Sequence, residues 1–348
     1  MTVERTVPLR FHSDARELKT HTNLSAVRSD GSVLWVAGDE TATVERLVAE
    51  DDGWGGQESF ALAELVDLPG DADEEADIEG LGRDGPVLWA VGSHSLKRKR
   101  VKSKHDGAKA LERLATVRGQ PNRQVLLRLP LQDVDGLPRP VREASVDGEV
   151  QRAAGFGARG KDLRDLLEDD EHLAPFLAIP GKDNGLDVEG IAVRGDRVLL
   201  GLRGPVLRGW ALVLELRPYV DEDEPDRLRL HELDDGRRYR KHVLDLAGLG
   251  IRDLCPHGDD LLVLAGPTMD LDGPVHVYRW HGAMTVDAPT VVRGHALTRE
   301  LGLPYGEGRD HAEGIDLLDD GRLLVVYDSP SPERLQDGAV LADVVRLP

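Results

Sequence analysis

The chain has 348 residues, 40% of them hydrophobic, and a formal net charge of -20. That is enough apolar material for a sizeable globular core, and the sign excludes a general binder of nucleic-acid phosphates. A single cysteine, Cys255, excludes an intramolecular disulfide and a thiolate zinc cluster and fits a reducing compartment. The N-terminal "MTVERTVPLRFHS" lacks an apolar signal core, and no stretch approaches the roughly 18 apolar residues of a membrane span. The expectation is a soluble, cytoplasmic protein that contacts neither nucleic acid nor membrane.

In chain order, an isolated strand at "RTVPLRF" comes first. "NLSAVRSDGSVLWVAGDE" from Asn23 then reads as a strand, a tight Asp30-Gly31 turn and a second apolar strand. The pattern returns as "DIEGLGRDGPVLWAVGSHS" from Asp77, "DVEGIAVRGDRVLLGLRGP" from Asp187, "GIRDLCPHGDDLLVLAGPT" from Gly250 and "HAEGIDLLDDGRLLVVYDSPS" from His311. Each hairpin is followed by a further strand candidate: "TVERLVAE", "QVLLRLPL", "WALVLEL", "VHVYRW" and "VLADVVRLP". Starts are spaced by about 54, 110, 63 and 61 residues, which suits propeller blades with long loops. The long gap holds a basic stretch (97–120) and a helical-looking one, "GKDLRDLLEDDEHLAPFLA" (160–178); without them one blade's worth remains. The reading is an all-β, single-domain β-propeller over residues 1–348. It has five blades, or six if a degenerate blade lies within 125–180, a basic loop insertion at 97–120 and a short helical insertion at 155–180. The first strand and the final "ADVVRLP" are expected to share a blade and close the ring, which removes exposed sheet edges. A linear pair of β-sandwiches is the structural alternative.

In a propeller the first strand of each blade starts on the face where the second ends. That gathers Asp77, Glu79, Asp187, Glu189, His311 and Glu313 with Asp39, Glu40, Ser93, His94, Arg203, Asp328 and Ser329. The equivalent positions in the first and fourth segments are Ser25-Ala26 and Arg252-Asp253. The glycine after each glutamate is expected to allow close backbone approach near the axis. For the glutamates two readings stand: they crosslink neighbouring blades through backbone N–H groups, or Glu79, Glu189 and Glu313, with Asp77 and Asp187, hold calcium or magnesium. Crowded carboxylates need a neutraliser, and Arg203 or Arg252 could serve in place of a metal. His311 reads as a ligand, an acid–base group or a channel histidine bonded to a carboxylate.

The run "KRKRVKSK" (97–104) would, alone, suggest a nucleic-acid patch. At the mouth of an acidic channel it reads as a solvated loop or as a lid over an anionic ligand, with Ser93, Ser95, Lys97, Arg98, Arg252 and Asp328 as ligand contacts. Leu163, Leu166, Leu167 and Leu173 make the second insertion a docking element or pack it on a blade. Gly-x-Ser-x-Gly, Gly-rich phosphate loops, His-Glu-x-x-His and Cys-x-x-Cys do not occur, which excludes the conventional hydrolases and triphosphatases that use them. The functional expectation is a ligand-binding propeller with a cation in its acidic channel. A metal-dependent hydrolase of phosphoesters or related esters would use His94 or His311 for proton transfer and Arg203 for the anion. The alternative is a non-catalytic scaffold or sensor that binds a protein partner or small ligand on the same face.

"DIEGLGRDGPVLWAVGSHSLKRKR", "NRQVLLRLPL" and "DVEGIAVRGDRVLLGLRGPVLRGWALVLEL" resemble the bacterial DUF3616 family, from about residue 20 to the end. The resemblance implies a β-propeller and brings no assigned activity. The Asp-x-Glu-Gly-Ile starts are also similar, over those short motifs, to esterase-like phytase and SdiA-regulated propellers. That likeness implies calcium binding or phosphoester hydrolysis, although the first and fourth segments lack the glutamate.

Overall fold

Every turn signal found in the sequence closes a hairpin. In the computed structural model, which describes residues 3–146, 148–233 and 236–348, five antiparallel pairs form. Leu24–Asp30 pairs with Val33–Gly38, Ile78–Asp84 with Val87–Gly92 and Asp187–Arg194 with Arg197–Gly204. Gly250–His257 pairs with Asp260–Gly266, and His311–Leu317 with Leu323–Asp328. The second strands are apolar runs without alternation, and Val33–Gly38 and Val87–Gly92 are buried at every residue. Such a run suits a strand with protein on both faces.

Further strands widen each hairpin into a sheet. Thr43–Ala49 and Trp54–Ala61 extend the first, and Leu126–Val134 extends the second. Ala211–Leu216 and Arg240–Leu244 extend the third, Val275–Trp280 and Leu297–Leu303 the fourth. The fifth is completed by Ala339–Val345 and, outside it, by the N-terminal Val3–Arg10, paired from Val3 opposite Val345 to Arg10 opposite Ala339. The two chain ends therefore lie in one sheet, as the sequence pattern leads one to expect. Val3–Arg10 also pairs in parallel with Trp54–Ala61 through Leu9 and Trp54, so the first and fifth hairpins lie in one continuous sheet. The first strands of the five hairpins, hereafter the inner strands in chain order, pack in a closed cycle: first on second, second on third, third on fourth, fourth on fifth, fifth on first. The architecture is all-β and propeller-like. No helix among the described residues is long and apolar enough to cross a membrane.

Apolar side chains fill the spaces between sheets. Trp35, Phe60, Leu81, Leu88 and Leu127 meet in one cluster, and Leu199, Val213, Leu254 and Trp280 in another. Leu163, Leu167 and Leu173 of the second insertion join the cluster of Val91, Val188 and Leu202, so these leucines pack rather than project. That insertion has only short turns, Leu163–Leu166, capped by Asp162, and Ala174–Phe176. The first insertion differs from the expected loop. Lys97–Arg98 pairs with Val117–Arg118, and between them Gly107–Ala115 is a helix whose first turn is capped by Asp106, which accepts from the Lys109 N–H at 2.8 Å. Residues 125–180 place no sixth strand in the inner cycle among the described residues: Leu126–Val134 and Ala154–Phe156 join the second sheet, and Glu143–Val146 pairs with Glu149–Arg152.

One side chain ties the inner strands together. Arg28, on the first, is buried, and its guanidinium donates to the Leu81 carbonyl at 2.6 Å, Ile191 at 3.3 Å, Leu254 at 2.8 Å and Ile315 at 2.9 Å. Those carbonyls belong to the second, third, fourth and fifth inner strands. Asp253 and Asp316 add carboxylates at 3.1 and 3.2 Å, and Asp253 also accepts from the Ile315 and Leu254 N–H groups at 2.9 and 2.7 Å. The arrangement needs a fork of donors, which arginine has and lysine lacks.

Arg28→Met should leave buried carbonyls and two carboxylates without their donor, costing about 3–5 kcal/mol in urea unfolding. A loss within about 1 kcal/mol would show the strands to be held by packing alone. Removing residues 342–348 should take away most of the strand between Leu323–Asp328 and Val3–Arg10 and leave both with open edges, and is expected to shift the protein to soluble aggregates in size-exclusion chromatography.

Candidate cation and ligand site at the channel mouth

At the same point of every inner strand the pairing slips. The register breaks between Leu24 and Ala26, Ile78 and Gly80, Val188 and Ile191, Ile251 and Asp253, and Ala312 and Gly314. The residues left over are Ser25, Glu79, Glu189 with Gly190, Arg252 and Glu313. A bulge re-aims a side chain away from the regular alternation, and here it turns these residues toward one another. The glycine that follows each glutamate answers a steric demand. A Cβ on Gly190, whose φ is 100°, would sit 2.7 Å from the Asp253 Cα on the next inner strand, and one on Gly314 would sit 2.7 Å from a Val326 methyl and 3.2 Å from the Val27 nitrogen.

The glutamates have different partners. Arg203 Nη1 donates to Glu189 Oε1 at 2.8 Å, and Arg252 Nε lies 3.2 Å from Glu189 Oε2. Arg252 Nη2 also donates to Glu313, so one guanidinium joins the third and fifth inner strands. Ser25 Oγ donates to the Ile78 carbonyl at 2.5 Å. Glu79 has no ion pair among the described residues. Its carboxylate oxygens lie with those of Asp39 and Asp77 in a group whose ligand atoms are all within 4.8 Å of one another, and His311, Glu313 and Asp328 form a second such group. Asp77, in the left-handed region at φ 51°, also accepts from Arg123.

Charge follows this division. Burial pushes Glu189 up, but Arg203 and Arg252 outweigh it and hold the carboxyl below its ordinary range. Burial, then Glu189, Glu313, Asp39 and Asp187, raise Glu79 well above that range. Burial and Asp328 push Asp39 up to about 7. Burial and Glu189 push Asp187 up to about 6 against the pull of Arg203, Arg123 and Lys182. Glu313 is pushed up to about 8, chiefly by burial, with Asp328 and Glu189 offsetting Arg252.

The other expected site residues fall in distinct places. His311 Nε2 is 3.3 Å from Asp272 Oδ1, in a cleft also lined by Arg203, Arg252, Glu313 and Asp328. Ser93, His94 and Ser95 are buried, with the two serine hydroxyls 3.0 Å apart. Burial, then Arg164, pushes His94 down to about 3 against a weaker opposing pull from the Val125 backbone, so its imidazole is neutral at physiological pH. Lys97 pairs with Glu75 at 2.8 Å and Arg98 with Asp183 at 2.6 Å, so both are engaged beside the mouth. Sequence reasoning missed Arg123, on Asp77, and Lys182, which lines the cleft. Both lie outside the repeated hairpins, where no positional signal marks them.

Raised carboxyls bind protons more tightly in the folded protein than in the unfolded chain. Their stabilisation is complete below the ordinary carboxylate range and is lost as pH rises through the folded value. His94, held down, removes stability only below its unfolded value of about 6.5. From roughly pH 6.5 to 8.5 the melting temperature should therefore fall as pH rises, and Glu313→Gln should flatten that slope. A parent with a level melting temperature across the window would show Glu79, Asp39 and Glu313 all already ionised at neutral pH.

No curated protein matches the sequence. Among solved structures, the chain is similar to the glutaminyl cyclase of Myxococcus xanthus, with 11% identity, 99% of this chain and 95% of that one covered and a TM-score of 0.45. It is also similar to a putative oxidoreductase (glucose dehydrogenase) of Thermus thermophilus, with 13% identity, 98% and 99% covered and a TM-score of 0.41. The aldose sugar dehydrogenase of Streptomyces coelicolor gives 12% identity, 98% of each chain covered and a TM-score of 0.38. Likenesses of this size say nothing about activity. Over residues 23–343, nearly the whole length, the sequence matches DUF3616, described as a protein of unknown function, and the chain belongs to that family.

Proposed function

We propose that the chain is a five-bladed β-propeller that binds a small anionic ligand at its channel mouth through a divalent cation seated on Asp39, Asp77 and Glu79. The blade count is supported by the closed cycle of five inner strands and by the sheet shared between the chain ends. The observation that carries the cation is the unequal neutralisation of the glutamates. Arg203 and Arg252 take Glu189 and Glu313, whereas Glu79 faces carboxylates on several sides with no cationic partner among the described residues. Two outcomes relieve such crowding, a shared proton or a metal. Carboxylate oxygens converging from the ends of two neighbouring sheets favour calcium, or magnesium with waters completing its shell. Lys182 and Arg252, which line the adjoining cleft of His311, Glu313 and Asp328, supply the positive side for the anion.

Hydrolysis of a phosphoester or related ester at this site is a second reading, favoured by His311. Its imidazole lies beside Glu313 and Asp328 and within reach of Asp272, which suits proton transfer to a bound ligand. Screening phosphomonoesters and phosphodiesters with manganese, parent against His311→Ala, tests that reading; turnover equal in the two would remove His311 from the chemistry.

For the cation, calcium, magnesium or manganese at a hundredfold excess over Kd should stabilise the parent by about 2.7 kcal/mol, a rise of roughly 4 °C for a chain of this length. Glu79→Gln should abolish the response. Glu189→Gln should lower the baseline melting temperature, because Arg203 loses its partner, and keep the response. A parent that melts alike with each metal and with chelator would leave the Glu79 corner to a shared proton.

A further inference from the structure

The helix Gly107–Ala115 has no buried residue. It is held to the ribbon beneath it by polar bonds: Arg113 Nε donates to the Arg100 carbonyl at 2.6 Å and Arg98 to that of Leu114. Nine residues are too few for a helix to be stable in water by itself, so such a helix ordinarily depends on burying one face. Here that face is bare. Leu111 and Leu114, three residues apart and thus on one side, are 70% and 45% exposed, with Val101 and Val117 flanking them at 36% and 38%. Around them, residues 97–118 contain nine Lys and Arg against two acids, in a chain whose net charge is -20. The complement of such a patch is an apolar surface rimmed with carboxylates.

The same molecule carries one. At the rim of the mouth cleft Met269, Leu271 and Tyr305 are 44%, 63% and 53% exposed, with Asp270 between the first two and exposed Glu307 two residues beyond Tyr305. The two surfaces share a face, because residues 181–183 touch both: Asp183 holds Arg98, and Lys182 lines the cleft. Within one chain both stay exposed. We infer that they satisfy each other between chains: two copies associate face to face about a twofold axis, each laying its helix Gly107–Ala115 on the acidic, apolar rim of the other's mouth. The contact is isologous, so a single complementary pair of patches is used twice and the assembly closes at two. It does not rest on the cation reading, since none of the residues invoked is a proposed metal ligand.

Sedimentation velocity on the full chain over a range of concentrations tests this. The parent should dimerise at low salt and dissociate as salt screens the basic patch from the acidic rim. Leu111→Ser with Leu114→Ser should raise the dissociation constant roughly tenfold or more while circular dichroism and melting temperature stay as in the parent. Lys99→Glu, Arg100→Glu, Lys102→Glu and Lys104→Glu together, which leave the patch with fewer basic than acidic residues, and separately Asp270→Lys with Glu307→Lys, should each weaken self-association. Mixing those two charge-reversed proteins should restore dimers, because each patch then meets a rim of opposite sign. The inference is overturned by a parent monomeric at its highest soluble concentration, by a dimer indifferent to either set of substitutions, or by a mixture that fails to associate. A monomeric parent that binds phosphatidylserine vesicles through Leu111 and Leu114 would assign the patch to a membrane and overturn it as well.

Discussion

A ring of strands around an axis leaves backbone carbonyls pointing inward where no neighbouring strand can reach them, and Arg28 is the group that answers them. Its guanidinium supplies donors to the other four inner strands at once, and the paired carboxylates of Asp253 and Asp316 keep it charged although it is buried. Burial alone would favour loss of its proton, but the two aspartates reverse the balance and push the guanidinium pKa up. Because the strands converge on one planar group, their relative heights along the axis are set to within hydrogen-bond tolerance. The geometry of everything above them, including the acidic mouth, inherits that alignment.

The mouth follows from a second constraint, the bulge on each inner strand. Without it, Glu79, Glu189 and Glu313 would fall into the ordinary alternation of the sheets. With it, a residue is released from the ladder, and the chain must absorb a tighter approach to the next strand just afterwards, which is where Gly80, Gly190 and Gly314 stand. The Glu-Gly pair is thus one local device in which the glutamate is presented and the glycine makes room. Arg252 occupies the same position on the fourth inner strand and turns the device to the opposite charge, so the ring carries its own partial neutraliser.

Much of this could be read from the chain, and what could not has physical causes. The hairpins were legible because Asp-Gly and Gly-Asp turns separate unbroken apolar runs, and the shared terminal sheet because each end offers one unpaired strand. Glu79, Glu189 and Glu313 stood out because they repeat. Arg28 did not, since a lone arginine next to a turn in "SAVRSDG" looks like an ordinary strand-end polar residue, and its meaning depends on four distant carbonyls. The bulges were hidden as well, because an inserted residue leaves no mark in an apolar run. The helix Gly107–Ala115 was masked by the basic run before it, although Asp106 followed by "GAKALERLA" combines an N-cap with strong helix formers.

The pairing of Val3–Arg10 with Ala339–Val345 also bears on how the molecule comes into being. These strands are separated by almost the entire chain, so their contact closes the longest loop the sequence allows, and the entropy of that closure is spent late. During synthesis Val3–Arg10 emerges long before Ala339–Val345 and until then has only the parallel contact of Leu9 with Trp54. During that interval the open end of the ring is an unprotected sheet edge. The segment that completes the fold is therefore also the one that sets how long the nascent protein remains exposed to aggregation.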